Sequence, residues 1–284
     1  MTQFIRHYLL ALQFFTRIPV AGRLAAWVGY SPQMLRASAA HFPGVGWLVG
    51  LLVAGLSGLL LMALPGGGFS PLVVATLGTA FGILLTGAFH EDGLADVADG
   101  LGGSLQRERA LEIMKDSRGG AFGAIAIVMA LLVKVALVAQ LASMDGGILC
   151  ALLFLAHVVS RTWPLLLIRL LPHVGDAAGS KSKPLADQIT LAALGVACVW
   201  CLAAVGGVLW LQESGQWLVP EELSSPFEAG LLGALAASAL AFVWMGRWFA
   251  KRLQGFTGDC LGATQQVCEL AFYLGFLLAW GSLP

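Results

Sequence analysis

Four carboxylates, Glu91, Asp92, Asp96 and Asp99, lie together in the sequence FHEDGLADVADGLGG, directly after the almost entirely apolar residues 72–89. The last three share one face if the helix of the preceding apolar run continues through them. A row of like charges is unfavourable without a counter-charge. Mg²⁺ commonly takes one or two carboxylates together with waters and substrate phosphates. The spacing therefore predicts a Mg²⁺ site at Asp92, Asp96 and Asp99 that also binds a phosphate.

The alternative interpretation of this stretch is a solvated acidic helix end. Gly93, Ala95 and Ala98 favour the ligand site, because small side chains let a ligand approach the backbone. His90 could be a ligand, a base or a hydrogen-bonded structural residue. We keep it as a candidate for substrate binding.

A second polar cluster is EIMKDSRGGAFG. Lys115, Ser117 and Arg118 supply hydrogen-bond donors, Asp116 supplies another carboxylate, and two glycines precede the next apolar run. Amides at a helix N-terminus favour phosphate, and neighbouring cations strengthen the attraction. Beside the acids, this pattern predicts a pyrophosphate clamp.

The sequence FTGDCLGATQ repeats this pattern before the last apolar run, with Thr257 and Asp259 as candidate binding residues. Asp259 either adds a metal ligand or caps the helix that follows. Charged residues inside apolar runs are costly unless paired or solvated. We expect Arg161 to face the acidic site or to be paired in the interior, and Lys134 to extend towards the outer surface.

The elements that position these residues are membrane-spanning helices. The chain has 284 residues, of which 58% are hydrophobic and 11% charged, which excludes an ordinary soluble domain. A helix needs about 20 apolar residues to cross a bilayer. We therefore predict an all-α, polytopic membrane helical bundle of about seven spans. The apolar windows are residues 42–64, 71–89, 120–141, 148–171, 188–212, 229–250 and 264–283.

The first 40 residues carry four arginines spread throughout, unlike a cleavable signal peptide. Apolar and polar residues of the opening segment fall on opposite helical faces, as in an interfacial amphipathic helix or a packing helix. We expect one integral membrane domain, residues 1–284, in which residues 1–40 are interfacial or cytoplasmic and residues 41–284 form the bundle. The net charge is zero and no basic stretch has interleaved aromatics, so no nucleic-acid partner is expected.

Lysine and arginine are distributed unevenly among the connections between spans. They occur in the N-terminal segment and in residues 90–119, 172–187 and 251–263, and are absent from residues 65–70, 142–147 and 213–228. Because positive loops stay inside, we predict a cytoplasmic N-terminus and an external C-terminus. All three polar clusters then meet on the cytoplasmic face.

Three classes of function fit these features: an enzyme acting on phosphates, a divalent cation transporter and a membrane assembly subunit. Transporter sites usually lie near the bilayer midplane, whereas these acids are predicted at a membrane edge beside lysine and arginine. The combination favours binding a metal together with an anion. The residues alone therefore predict metal-assisted phosphoryl or phosphodiester transfer.

The segments FFTRIPV, HEDGLADVADGLGG, IMKDSRGGAFG and GFTGDCLGA, in this order, resemble the cobalamin synthase family over most of the chain. The resemblance implies a Mg²⁺-dependent transferase of a bacterial inner membrane. In that family's reaction, α-ribazole or its 5′-phosphate attacks the cobinamide-linked phosphate of adenosylcobinamide-GDP, and GMP leaves. The product is adenosylcobalamin or its 5′-phosphate.

Within this resemblance, Asp92, Asp96 and Asp99 would hold Mg²⁺, and Glu91 or Asp116 would accept the proton of the attacking hydroxyl. The candidate phosphate and substrate contacts are His90, Lys115, Ser117, Arg118, Arg161, Thr257 and Asp259.

The acid spacing is also similar to that of CDP-alcohol phosphotransferases. The chain departs from their pattern because no Ala-Arg follows Asp99 and Gly100. Glycine-rich spans permit close packing within one chain or between copies, so a homo-oligomer is a further expectation.

Overall fold

The chain folds as a bundle of α-helices, as predicted. A computed structural model describes residues 2–116, 118–175, 188–214 and 220–282. Within these ranges no strand forms, and His173 and Phe256 make an isolated bridge. The α-helices in chain order are α1 (Thr2–Phe15), α2 (Gly22–Val28), α3 (Pro32–Ser38), α4 (Phe42–Ala63), α5 (Ser70–Thr86), α6 (Phe89–Gly103), α7 (Arg107–Lys115), α8 (Ala121–Met144), α9 (Gly146–Leu170), α10 (Leu191–Glu213), α11 (Ser224–Arg252) and α12 (Gly258–Gly281).

Six helical segments in the described part of the chain are long and apolar enough to cross a membrane. Helices α5 and α6 meet the same test only as a pair, and counting that pair as one span gives seven. This upper count agrees with the predicted number of spans. The six segments are Pro32–Ala63, Ala121–Met144, Gly146–Leu170, Leu191–Glu213, Glu221–Arg252 and Gly258–Gly281.

The acidic stretch does not continue the preceding span. Helix α5 ends at Thr86, and α6 leaves it at an angle of 90°. Gly87 and Ala88 form the bend, and both are left-handed, with φ of 65° and 58°. A Cβ at Gly87 would also collide with the side chain of Arg17. The bend therefore requires glycine at position 87, and it turns the acids away from the direction of α5.

Helix α9 lies at the centre of the bundle, and 89% of its apolar window is buried. It packs closely against α4, because a Cβ at Gly46 would collide with the carbonyl oxygen of His157. Helices α11 and α12 approach in the same way at Gly233 and Gly275. Small residues let helix backbones come close in a membrane, and here they bring α4 against α9 and α11 against α12.

The interior contains an ion pair between α8 and α12. The Nζ of Lys134 lies 2.7 Å from Oε1 of Glu269, and the side chains are 8% and 1% exposed. The expectation that Lys134 extends outward is therefore wrong. An isolated charge inside the bilayer is costly, and Glu269 supplies the partner that removes the need to reach the surface. Gln265 and Tyr273 donate further hydrogen bonds to Glu269, at 2.8 and 3.2 Å.

Replacing the glycine at the bend tests the left-handed turn. Gly87→Ala should lower the unfolding temperature in detergent, because the new Cβ is strained at this φ and meets Arg17. Ala88→Gly is the matched control, and should leave the unfolding temperature unchanged or raise it, because glycine removes a left-handed alanine. Equal unfolding temperatures for the two variants would contradict this account.

A double-mutant cycle tests the buried ion pair. Lys134→Met leaves Glu269 charged and unpaired, which should destabilise the protein by about 3–5 kcal/mol. Adding Glu269→Gln removes the remaining charge, so the double variant should recover much of the loss. Chemical unfolding in detergent measures both values. A double variant as unstable as the sum of the single variants would mean that the two charges do not interact.

Candidate active site

Asp92, Asp96 and Asp99 of α6 share one face, as predicted, but differ in burial. Asp92 is exposed, Asp96 is half-buried and Asp99 is only 7% exposed. Asp96 lies within electrostatic range of Asp99 and Asp92, and also of Asp259 on α12. The acids therefore form one cluster whose exposed end is Asp92 and whose buried end is Asp99.

Asp99 joins α6 to the beginning of α8. Its Oδ2 accepts the backbone N–H of Gly120 at 2.7 Å, and its Oδ1 accepts the N–H of Gly123 at 2.8 Å. A Cβ at either glycine would collide with the carboxylate. These amides have no partner within their own helix, and a carboxylate there is further stabilised by the helix dipole. Asp99 is thus engaged in fixing α6 upon α8.

Asp259 reaches the cluster from the first turn of α12. The hydroxyl of Thr257 donates to its Oδ2 at 3.2 Å. Helices α6 and α12 cross closely here, since a Cβ at Gly93 would lie 2.7 Å from the carbonyl oxygen of Asp259. Asp259 and Asp92 consequently line the same cavity.

This cavity has a volume of about 340 Å³. Asp92, Gly93, Gly258 and Asp259 form one part of its wall, where α6 meets α12. Residues of α1, α4, α6, α9 and α12, together with Ala39, form the rest of the wall. They are Phe14, Phe15, Ala39, Phe42, Phe89, His90, Pro164, Leu165, Ile168, Leu261 and Gly262.

The carboxylates fit a cation that is completed by substrate. Among the described residues, no group of three or more His, Cys, Asp or Glu side chains is arranged to hold a metal ion by itself. Mg²⁺ needs fewer protein ligands, because it usually keeps several waters and takes one or two carboxylates with substrate phosphates. Asp92 and Asp259 supply two carboxylates at one cavity, and Asp96 places a third carboxyl group within electrostatic range of both.

The second polar cluster lies in the connection from α7 to α8. Arg118 Nη2 lies 2.6 Å from Asp116 Oδ2, and Arg118 Nε also donates to both carboxylate oxygens. These hydrogen bonds lower the pKa of Asp116 to about 2, so Asp116 is a weak proton acceptor. Lys115 is exposed at the end of α7. Ser117 lies outside the described residues.

Glu91 and Arg161 lie in the interior and are not among the described residues that line the cavity. Glu91 Oε1 accepts a hydrogen bond from Gln266 at 3.0 Å, while its Oε2 is buried without a partner. Arg161 donates to the carbonyl oxygen of His157 at 2.9 Å and lies 5.7 Å above the ring of Phe42. Arg161 therefore lies in the interior, where hydrogen bonds to His157 and the ring of Phe42 hold it, and its Nε is buried without a hydrogen-bond partner.

His90 lies between the cavity and this interior. It is 1% exposed, stacks on Phe42 with ring centroids 5.6 Å apart, and has a buried Nε2 without a hydrogen-bond partner. His90 is among the residues that line the cavity. The structure thus places His90 beside the acids.

Sequence reasoning missed the polar residues of α12 that support Glu91. Gln266 donates both to Glu91 and to Gln265, and Gln265 donates to Ser160 at 2.9 Å and to Glu269. The available signal was three polar residues, at positions 265, 266 and 269, within an apolar run. Their spacing places 265 and 269 on one helical face, which marks a buried polar contact.

Alanine substitutions separate the structural acid from the cavity acids. Asp99→Ala should lower the unfolding temperature, because it leaves the amides of Gly120 and Gly123 without a partner; the loss of such a cap costs about 0.5–2 kcal/mol. Asp92→Ala is the control, and should retain the wild-type unfolding temperature because the residue is exposed. Equal stability of the two variants in detergent would contradict the capping role.

Comparison with known proteins gives the family. A family model described as cobalamin-5-phosphate synthase matches residues 7–277. The adenosylcobinamide-GDP ribazoletransferase of Albidiferax ferrireducens is 67% identical over 275 residues, covering 97% of this chain and 98% of its own. Those of a Polaromonas species and of Vibrio cholerae are 58% and 40% identical, covering 98% and 96% of this chain and 98% and 93% of their own. No solved structure matches. The chain is therefore an enzyme that belongs to the cobalamin-5-phosphate synthase family.

Proposed function

We propose that this enzyme joins α-ribazole, or α-ribazole 5′-phosphate, to adenosylcobinamide-GDP. The products are adenosylcobalamin, or its 5′-phosphate, and GMP. The relatives named adenosylcobinamide-GDP ribazoletransferase support this choice of substrates. The observation that carries the proposal is the placement of Asp92 and Asp259, from two helices, on the wall of one cavity.

The reaction replaces the phosphoanhydride bond of the diphosphate by a phosphodiester bond. The 5′ oxygen of the acceptor forms a bond to the cobinamide-linked phosphorus, and the bond from that phosphorus to the bridging oxygen breaks. The bridging oxygen leaves on GMP with the electron pair. A base takes the proton of the attacking hydroxyl.

Asp92 and Asp259, with the carboxyl group of Asp96 beside them, would hold Mg²⁺ together with substrate phosphate; the metal would supply charge neutralisation for the diphosphate and for departing GMP. This set replaces Asp99 by Asp259 in the predicted ligands, because both Asp99 oxygens already accept amides of α8. Asp99 acts instead as a positioning residue. Thr257 orients Asp259 through its hydrogen bond.

Two further roles remain, proton acceptance and phosphate contact. Of the two candidate proton acceptors, Glu91 has an Oε2 without a hydrogen-bond partner, whereas Arg118 engages both oxygens of Asp116, and neither acid lines the cavity. Lys115 and Arg118 lie in the sequence just before Gly120, whose N–H donates to Asp99. These two side chains would contact phosphate oxygens.

Membrane placement follows from the distribution of positive charge. The chain is a multi-pass membrane protein by the length and composition of its helices. We propose a bacterial inner membrane, which the family resemblance implies. We place the N-terminus and the acid cluster on the cytoplasmic side, because the lysine- and arginine-containing connections alternate with connections that lack them.

GMP release from adenosylcobinamide-GDP by protein in liposomes tests the function. Release should require both α-ribazole and Mg²⁺. Asp92→Asn and Asp259→Asn should each lower the rate by about 10–100-fold, as the loss of a metal contact does, with their unfolding temperatures retained.

The matched control is Glu108→Gln, which neutralises an exposed acid of α7 paired with Arg107. It should keep the wild-type rate. Undiminished release after chelation of Mg²⁺, or in both aspartate variants, would contradict the metal site. Absence of release from folded wild-type protein would contradict the reaction itself.

A further inference from the structure

The cavity beside the acids has an aromatic wall. The rings of Phe15 and Phe42 are stacked with centroids 4.1 Å apart, and Phe42 stacks in turn on His90. Phe14 and Phe89 meet edge to face at 5.6 Å. These rings come from α1, α4 and α6, so three separate helices build one aromatic surface next to Asp92 and Asp259.

Helices α9 and α12 contribute further apolar residues to the wall. These residues are Pro164, Leu165 and Ile168 of α9 and Leu261 of α12. A ligand against this wall loses water without gaining hydrogen bonds there, which disfavours a group rich in N–H and C=O. Guanine is such a group. A flat, hydrocarbon-rich ring system suits this wall.

Size points the same way. At about 340 Å³ the cavity lies at the small end of ligand pockets, which span roughly 300–1,000 Å³. It suits a nucleoside, whereas a corrin with its side chains is several times larger than a nucleoside. Of the groups in the proposed reaction, only the ribazole base is both flat and free of exocyclic polar groups.

We infer that this cavity binds the two-ring benzimidazole base of the acceptor nucleoside. This inference rests on the proposed function. The base stacks on the wall formed by Phe14, Phe15, Phe42 and His90, and the ribose extends towards Asp92 and Asp259. The 5′ oxygen then lies on the side of the cavity where the diphosphate is held. The corrin and the guanosine lie outside the cavity, beyond the acids.

Equilibrium binding of α-ribazole without Mg²⁺ and without the second substrate tests the cavity alone. The benzimidazole fluorescence of the ligand reports binding to the protein in detergent. Wild-type protein should bind α-ribazole, and guanosine should bind at least tenfold more weakly. Equal binding of guanosine would overturn the inference.

Two substitutions locate the binding. Leu165→Trp fills the cavity from α9, and should weaken α-ribazole binding and raise its KM at least tenfold, leaving the KM for adenosylcobinamide-GDP unchanged. Leu170→Trp is the matched control on the same helix, at a residue that is 65% exposed, and should behave as wild type. If Leu165→Trp fails to fold, Phe14→Ala serves in its place. It removes part of the aromatic wall at a half-buried position, and should weaken α-ribazole binding about tenfold.

These experiments distinguish failure of the base site from failure of the proposed reaction. GMP release with an unchanged α-ribazole KM in folded Leu165→Trp and Phe14→Ala would overturn the base site while leaving the proposed reaction intact. Binding of α-ribazole that these variants weaken, in a wild-type protein that releases no GMP, would support the base site and contradict the reaction.

Discussion

A carboxylate can be buried among apolar helices only when its oxygens are hydrogen-bonded or paired with a cation. Helix α6 meets this constraint at both oxygens of Asp99 and at one of the two oxygens of Glu91. Asp99 accepts two amides of α8, and Glu91 accepts a hydrogen bond from Gln266 of α12. Further inside, Glu269 of α12 is paired with Lys134 of α8. These contacts fix α6 between α8 and α12, and every position in the candidate site depends on that placement.

The fixed helix assigns different tasks to acids that look alike in the sequence. The buried Asp99 fixes α6 upon α8, whereas Asp92 is exposed and shares a cavity with Asp259. Two carboxylates at a cavity edge hold Mg²⁺ weakly unless a phosphate completes the coordination. Such an arrangement suits an enzyme whose metal ion binds together with a diphosphate substrate. In the inferred binding mode, the aromatic wall of the same cavity holds the acceptor base, and the ribose extends towards these acids.

The spans and the three polar clusters could be predicted from the sequence, because apolar runs and helical spacing are local signals. The bend at Gly87 could not, since its left-handed backbone is stabilised by the surrounding structure and its tight fit involves Arg17. The cap formed by Asp99 could not be predicted either, because its partners, Gly120 and Gly123, lie 21 and 24 positions further along the chain. The prediction for Lys134 failed for the same reason: its partner, Glu269, lies far along the chain on α12.

Anomalous diffraction from crystals grown with Mn²⁺ and adenosylcobinamide-GDP tests the metal site most directly. Mn²⁺ accepts the same carboxylate and phosphate oxygens as Mg²⁺. We predict one anomalous peak with carboxylate oxygens of Asp92 and Asp259 roughly 2.0–2.5 Å away, in contact with the diphosphate. A peak at Asp116, or at the diphosphate with neither Asp92 nor Asp259 in contact, would contradict the conclusion that these acids hold the cation that holds the substrate.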